Sequence, residues 1–297
     1  MSKEKKQQSK SIITEKCAIL PANLSPGLSG TQRISLFYLR SVPFLTLLLG
    51  FGVGHVGYWW YLPAWLTNTI IMATAMYQLL RYRPSGNQLF TTAALLLITP
   101  WVIFPVFGGM GRPPQTIQGW LSLVGEQHVR FNLLILGGIL AYLGSVLLYK
   151  WLTAVDKLFA SLGLGLITLA IPLFIINMAY WGSFLSEAFY NFKTAYRPDW
   201  YLALRELFFL IGTVEVSLIY MATAMFALAL GKTGYFKAAA VRTYVIVSLC
   251  AALINLIPPS APEPFSTMSY LVCVPAIPFI MLYLMGVNLL RRVSAHP

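Results

Sequence analysis

Charged side chains are scarce in this chain of 297 residues. Only 10% of the residues are charged, whereas 58% are hydrophobic and 14% are aromatic. Soluble globular domains carry about 25% charged residues, so the composition excludes that class. It predicts an all-α membrane protein that crosses the bilayer several times.

Cysteine is also sparse, and the motifs of several enzyme and cofactor classes are missing. The three cysteines, Cys17, Cys250 and Cys273, are odd in number and contain no CxxC pair, so neither a disulfide framework nor a redox or zinc motif is predicted. HExxH, GxSxG and Walker sequences are absent. Three histidines do not provide the paired ligands of an intramembrane haem, and no predicted span holds a lysine for a retinal Schiff base. We therefore expect no cofactor and assign no catalytic residue.

Eight apolar runs divide the chain, each near the 17–25 residues that cross a bilayer core. We place them at 41–60, 62–80, 88–107, 131–151, 158–181, 207–230, 241–258 and 270–290. Residues 1–34 precede them as a flexible, basic tail. The short apolar stretch in this tail ends at Pro21, which is too early for a secretory signal, so we expect the tail to be retained.

Basic residues are distributed unevenly between the two sides that eight spans create. Only five of the twenty-one lie on the side away from the termini. These five are Arg112, Arg130, Lys193, Arg197 and Arg205. The positive-inside rule then puts both termini in the cytoplasm and the protein in a plasma membrane, the inner membrane in a bacterium. The net charge of +12 is explained in this way without a nucleic-acid partner.

Similar short sequence segments recur at corresponding places in the two halves of the chain. LTLLLGFGVGHVGYWW (45–60) aligns with ITLAIPLFIINMAYWG (167–182), and IMATAMY (71–77) resembles YMATAMF (220–226). Chance recurrence in a low-complexity membrane sequence is the alternative. A duplication would give two parallel four-helix halves, 35–151 and 152–297, related by an axis along the membrane normal.

Two outer loops are long enough to contact a protein partner. In the loop 108–130, apolar residues at helical spacing predict a short amphipathic helix at the interface. These residues are Ile117, Trp120, Leu121 and Val124. The loop 182–200 is rich in aromatic residues and ends at Asp199, which is placed to cap the next helix.

Glu215 is the only formal charge that we place deep in the membrane, in the span 207–230. It lies about 12 Å below the outer boundary of that span at 1.5 Å per residue. Intramembrane ionisable residues are functional-site candidates, although a protonated Glu that joins two helices is an equally good interpretation. On a helical wheel Thr213, Ser217 and Tyr220 fall nearly opposite Glu215, whereas Gly212 lies beside it. Both faces of this helix should therefore be packed by other helices.

Four further polar residues are placed in the outer half of the membrane. They are His55, Asn68, Asn177 and Asn255. Together with Glu215 and Tyr220 they predict an outward-facing polar cavity, although such residues also form simple interhelical hydrogen bonds. His55, Glu126 and His128 share the outer side, but their spacing matches no ligand pattern and no metal site is assigned.

Three functions remain open at this stage. The first is a transporter-like bundle that handles a small solute, a proton or a cation through Glu215. The second is a non-catalytic membrane subunit or anchor, in which Glu215 is structural. The third is an intramembrane enzyme on a lipid or isoprenoid, for which Glu215 would need a second acid or base such as His55.

Overall fold

The computed structural model describes residues 28–81, 88–114, 116–191 and 199–294, and the regular secondary structure in this part of the chain is all helical, without strands. In the first half the helices are α1 (Gly30–Gly52), α2 (Tyr58–Leu80), α3 (Gln88–Ile98), α4 (Pro100–Ile103), α5 (Phe107–Met110), α6 (Ile117–Ser122) and α7 (Val124–Leu152). A short 3₁₀ turn, Phe104–Val106, joins α4 to α5.

The second half begins with a long helix that changes its winding near its middle. The elements are α8 (Lys157–Ala179), a π-helical turn (Tyr180–Phe184), α9 (Leu185–Asn191), α10 (Asp199–Lys232), α11 (Ala238–Asn255), α12 (Phe265–Cys273) and α13 (Phe279–Ser294). The predicted outer loop 182–200 is therefore helical as far as Asn191, which corrects the sequence assignment. The side chain of Asp199 lies outside the described side chains, so its predicted capping role stays a prediction.

Six helical runs in the described residues are long and apolar enough to cross a membrane. They are Gly30–Gly52, Gln88–Met110, Val124–Leu152, Lys157–Asn191, Trp200–Lys232 and Ala238–Asn255. This finding supports a multi-pass helical membrane protein. The predicted span 62–80 lies within α2, and the predicted span 270–290 is divided between α12 and α13 by a non-helical segment with Pro275 and Pro278.

The first predicted span was wrong at both ends. Ser29 accepts a hydrogen bond from the backbone of Gln32, whose side chain bonds back to Ser29. This capping box starts α1 at Gly30, so residues 30–34 belong to a helix and not to a flexible tail. At the other end α1 stops at Gly52, and Gly54 takes a positive φ of 81°, so the aromatic residues that follow belong to α2.

Two ends of the bundle can be defined from backbone and side-chain contacts. At the loop end, the turn after α1 meets the end of α5 through Val56, whose N–H donates to the carbonyl of Gly109 at 2.8 Å. At the tail end, Phe90, Trp151 and Tyr235 stack around one another. Helices α8 and α11 pack on either side of α10, while α3 packs between α7 and α13. Helix α10 therefore has neighbours on both faces, as its two-sided polar pattern predicted.

The two aligned repeat segments adopt different structures. Residues 53–57 leave the helix, whereas the aligned residues 175–179 continue α8 into the π turn. The backbone structure of the aligned segments thus differs between the halves, and the duplication stays a prediction from the sequence.

Asp156 stabilises the tail end between α7 and α8. Its side chain accepts a hydrogen bond from the backbone N–H of Phe159 at 3.0 Å and pairs with the Lys232 ammonium at 2.8 Å. These two interactions, with Lys232 the stronger, hold the pKa of Asp156 below its ordinary value. A lowered carboxyl pKa adds stability above about pH 4 that is lost as the pH falls through the lower folded pKa.

We predict that Asp156→Asn lowers the melting temperature slightly at pH 7, because Asn keeps the helix cap but removes the ion pair. Asp156→Ala should lower it further, because it also removes the cap. Thermal unfolding in detergent at pH 7 and at a pH below the lowered folded pKa of Asp156, where the carboxyl group is protonated in both states, checks both variants. A difference between Asp156→Asn and the unchanged protein that persists at the acidic pH would contradict the ion-pair explanation.

Candidate functional site

Glu215 lies at the middle of α10. It is sixteen residues after Asp199, the first residue of this 34-residue helix, or about 24 Å along a helix about 50 Å long. The sequence analysis counted about 12 Å from Leu207; the distance from the start of the helix is larger because α10 begins earlier than the predicted span. Only 1% of Glu215 is exposed, so the carboxyl group is closed off from the surroundings of the bundle.

One oxygen of the carboxyl group is bonded to α8 and the other has no partner. The Nδ2 amide of Asn177 donates to Oε1 of Glu215 at 3.1 Å, and the indole N–H of Trp181 donates to Oδ1 of Asn177 at 3.0 Å. Among the described residues no group bonds to Oε2, which is also buried. A buried carboxyl oxygen without a hydrogen bond is costly, so this atom requires an explanation.

Gly212 makes the contact between α8 and α10 possible. A Cβ atom at this position would lie 3.0 Å from Nδ2 of Asn177, closer than most such contacts. The absent side chain lets the amide reach the carboxyl group one turn further along α10. The glycine that the helical wheel places beside Glu215 thus allows another helix to approach closely.

The opposite face of α10 carries a separate polar contact. Nδ2 of Asn255 donates to the Thr213 carbonyl at 2.8 Å and to Oγ of Ser217 at 2.9 Å. The Tyr220 hydroxyl donates to the carbonyl of Val272 at 3.0 Å. These bonds join α10 to α11 and α12, so Asn255 and Tyr220 do not share the contact of Glu215.

His55 and Asn68 lie in two further places. His55 is in the turn between α1 and α2, not within a span as predicted, and its Nε2 is 2.9 Å from Oε2 of Glu126. Tyr61 donates to the other oxygen of Glu126 at 3.2 Å. Asn68 accepts a hydrogen bond from Tyr38 at 2.6 Å. The hydrogen bonds thus distribute the six sequence-selected residues over five separate contacts, and only Glu215 and Asn177 bond to each other.

A buried arginine fixes the loop end close to the His55–Glu126 pair. Arg130 is 6% exposed and donates to the carbonyls of Met110 and Gly111 at 3.0 and 2.8 Å. Gly111 has a φ of 63°, and a Cβ there would lie 2.6 Å from the backbone of Gly54 and His55. From the sequence, Arg130 could be assigned only to one side of the membrane, because nothing in its spacing indicates two carbonyl acceptors nineteen and twenty residues earlier.

A further charged residue lies near the middle of a helix that is long and apolar enough to cross a membrane. Arg40 is the eleventh residue of α1, and its Nη2 donates to Oδ1 of Asn288 in α13. Asn288 in turn donates to the Tyr244 hydroxyl at 2.7 Å. The sequence analysis placed Arg40 outside every span, and the earlier start of α1 corrects that placement. The error came from starting the first span at residue 41, one position after Arg40.

The non-helical segment 274–278 lies at the depth of the Glu215 contact. Phe279, the first residue of α13, packs its ring edge-on against Phe174 at 5.3 Å, and Phe174 is one turn before Asn177 on α8. Cys273, the last residue of α12, is close enough to Glu215 to interact with it electrostatically. Discontinuous helices next to intramembrane polar residues are typical of substrate and ion sites in secondary transporters.

Metal-ligand chemistry is not assembled in the described part of the chain. No group of three or more His, Cys, Asp or Glu side chains there could hold an ion. His55 and Glu126 do meet, whereas His128 is exposed on α7 and is not part of their hydrogen-bonded pair.

The chain matches no protein-family model, no curated protein and no solved structure. Its function must therefore be argued from the site itself.

We predict that Asn177→Ala lowers the free energy of unfolding by about 1–3 kcal/mol, because it leaves both oxygens of Glu215 buried without a partner. The double variant Asn177→Ala/Glu215→Leu should recover part of this loss, because the buried carboxyl group is gone and only the Trp181 indole N–H is left without its acceptor. Unfolding in mixed micelles, measured for both single variants and the double variant, gives the coupling between the two residues. Additive effects of the two substitutions would show that the hydrogen bond contributes nothing.

Proposed function

We propose that the protein is a transporter-like membrane bundle in which Glu215 binds and releases a proton, and that the present structure is its closed state. The observation that carries this proposal is the unpartnered Oε2 of Glu215 at the middle of α10. A carboxyl group kept in this position is a cost to folding. Proton binding gives a reason for keeping it.

The surroundings of the carboxyl group favour a proton over a metal cation. Metal cations such as Ca²⁺ and Mg²⁺ are held by several oxygen ligands. Asn177 instead points its amide N–H at Glu215 and uses its oxygen to accept from Trp181. These groups donate hydrogen bonds to a carboxyl group, and they do not add oxygen ligands for an ion.

Movement of α8 against α10 would open the site to water. Three features near the contact support such a movement: Pro172 within α8, the π turn that follows Asn177, and the segment 274–278 between α12 and α13. Proline and π turns are the usual places where a helix bends. The proposed open state exposes Glu215 toward the loop end, as an outward-facing cavity would.

The proposal includes the finer topology predicted from the sequence. In it α2 and the divided α12–α13 segment complete eight spans as two parallel four-helix halves, and both termini lie in the cytoplasm. The sixteen-to-five distribution of basic residues supports this arrangement. The membrane is then the plasma membrane, which is the inner membrane in a bacterium.

A non-catalytic membrane subunit is the second candidate, and one observation favours it. Glu215 is almost completely buried in a helix contact, which is also what a purely structural hydrogen bond requires. Its partner would dock at the loop end, where Trp120 of α6 donates to Ser186 of α9 at 2.9 Å and joins these two helices. The lipid enzyme is less well supported, because His55 bonds to Glu126 instead of joining Glu215.

We predict that Glu215→Gln abolishes proton flux in reconstituted vesicles, because the amide fills the same space but has no titratable proton. A pH-sensitive dye inside the vesicles measures flux under an imposed potential, and the variant should fall to the level of protein-free vesicles. Glu187→Gln, which alters an exposed carboxyl on α9, is the matched control and should retain the flux.

Two outcomes of this experiment separate the candidates. Equal flux through Glu215→Gln and the unchanged protein would rule out Glu215 as the proton site. No flux above protein-free vesicles through the unchanged protein, together with a stoichiometric partner in mild detergent that is lost when 185–199 is deleted, would favour the subunit.

A further inference from the structure

One face of α13 is left open in an otherwise buried helix. Most of α13 is buried in the bundle. The partly buried residues before its last turn are Met281, Leu284 and Asn288, and Arg291 beyond them is exposed. They follow one another at intervals of three or four residues, so they lie on one side of the helix. We call this open face the α13 stripe.

The α13 stripe changes from apolar to basic toward the tail end of the bundle. Met281 and Leu284 are apolar, Asn288 is polar and neutral, and Arg291 is positively charged. Arg291 comes ten residues after Met281, about 15 Å along the helix. This is half of a hydrocarbon core about 30 Å thick, so the stripe matches one leaflet in length and in polarity.

Helices α1 and α11 form the walls on either side of the stripe. Oδ1 of Asn288 accepts from Arg40 of α1, and Nδ2 of Asn288 donates to the Tyr244 hydroxyl of α11 at 2.7 Å. One turn further from the tail end, Phe44 on α1 is 56% exposed and Val247 on α11 is 44% exposed. The stripe is therefore the floor of a cleft with apolar walls, which we call the α13 cleft.

Two arginines meet at the tail end of the α13 cleft. Arg40 is partly buried and is close enough to Arg291 to interact with it electrostatically. Among the carboxylates that the structure describes, Asp156 alone lies at the tail end, and it pairs with Lys232. No ion pair in the described part of the chain includes Arg40 or Arg291. Two neighbouring like charges without a protein anion are complementary to a phosphate group, which guanidinium groups bind well.

The cleft favours an anionic phospholipid over other phosphate compounds. The ammonium of a zwitterionic headgroup would lie beside two cations and find no described carboxylate to pair with. Inorganic phosphate would satisfy the arginines but leave the apolar walls uncovered. A lipid with a net negative headgroup satisfies both parts, because its phosphate neutralises the arginines and its acyl chain covers the apolar residues.

We propose that the α13 cleft binds one anionic phospholipid from the tail-side leaflet, with its phosphate between Arg40 and Arg291 and one acyl chain along Leu284 and Met281. In this site Asn288 holds the guanidinium of Arg40 at the mouth of the cleft. The proposal is independent of proton transfer at Glu215, which lies in the contact between α8 and α10 and takes no part in the cleft.

Native mass spectrometry of the full chain tests the proposal. The purified protein is delipidated and then offered phosphatidylglycerol, phosphatidylethanolamine or phosphatidylcholine with identical oleoyl chains. We expect one phosphatidylglycerol, retained at least about tenfold better than the other two lipids, because a single hydrogen bond to a charged group is worth about that factor or more. An excess of inorganic phosphate or of the chain-free glycerophosphoglycerol headgroup should not displace it.

Arg40→Gln and Arg291→Gln should each remove the preference for phosphatidylglycerol. Arg291 is exposed, so Arg291→Gln is the variant less able to disturb the fold, and thermal unfolding checks that both variants are folded. Arg242→Gln is the matched control, because Arg242 is an exposed arginine of α11 two residues before Tyr244 and off the face that carries it. This control should retain the preference, which separates a specific site from general attraction between basic residues and anionic lipid.

The carboxylates of residues 1–27 need a control of their own. They are Glu4 and Glu15, and the double variant Glu4→Gln/Glu15→Gln should leave the retention of phosphatidylglycerol unchanged. A rise in retention would show that a carboxylate of this chain occupies the cleft, and it would overturn the proposal. So would equal retention of the three lipids by the unchanged protein, a preference that survives Arg291→Gln, or displacement of the lipid by inorganic phosphate.

Discussion

The arrangement of the second half of the bundle depends on one constraint, the burial of the Glu215 carboxyl group between α8 and α10. Gly212 removes the side chain that would hold the helices apart, Asn177 supplies one hydrogen bond, and Trp181 fixes the orientation of the Asn177 amide. A charge at this depth is costly, and a carboxyl group without a cation partner is more easily kept as the neutral acid. One hydrogen bond still leaves Oε2 unpaired. The contact is therefore specific, but among the described residues it satisfies only one of the two carboxyl oxygens. This arrangement suits a group that gains and loses a proton.

The other polar contacts hold helices around this centre without joining it. Asn255 and Tyr220 attach α11 and α12 to the far face of α10. At the loop end, the contact between His55 and Glu126 holds the turn after α1 against α7. At the tail end, the ion pair of Asp156 and Lys232 joins the turn before α8 to the end of α10. In an apolar environment each such bond fixes the register of two helices, although its net contribution to stability is modest. The segment 274–278 has only apolar side chains and lies close to the Glu215 contact.

The sequence predicted the helical membrane class, the short helix at Ile117, and the two packed faces of the Glu215 helix, because each follows from composition or from helical periodicity. It misplaced helix ends wherever a turn was set by tertiary contacts. His55 was assigned to a span because apolar residues surround it, but the turn at Gly54 is fixed by the backbone of Gly111. Arg40 was placed outside for a different reason, because the local capping box of Ser29 and Gln32 starts the helix earlier than the apolar run indicates. Hydrogen-bond partners such as Asn177 and Glu215 are 38 residues apart in the sequence, and no local sequence pattern predicts such a pairing.

Infrared difference spectroscopy of the folded protein against Glu215→Gln tests the central claim most directly. A protonated carboxyl group gives a carbonyl-stretch band that an amide or a carboxylate does not. The account predicts one such band that is missing from the variant and that shifts in D₂O when a pH gradient drives exchange, because the site must open to water. A folded protein that shows no such band, or a band that never exchanges with D₂O, would contradict proton binding at Glu215 and leave the carboxyl group as a structural contact.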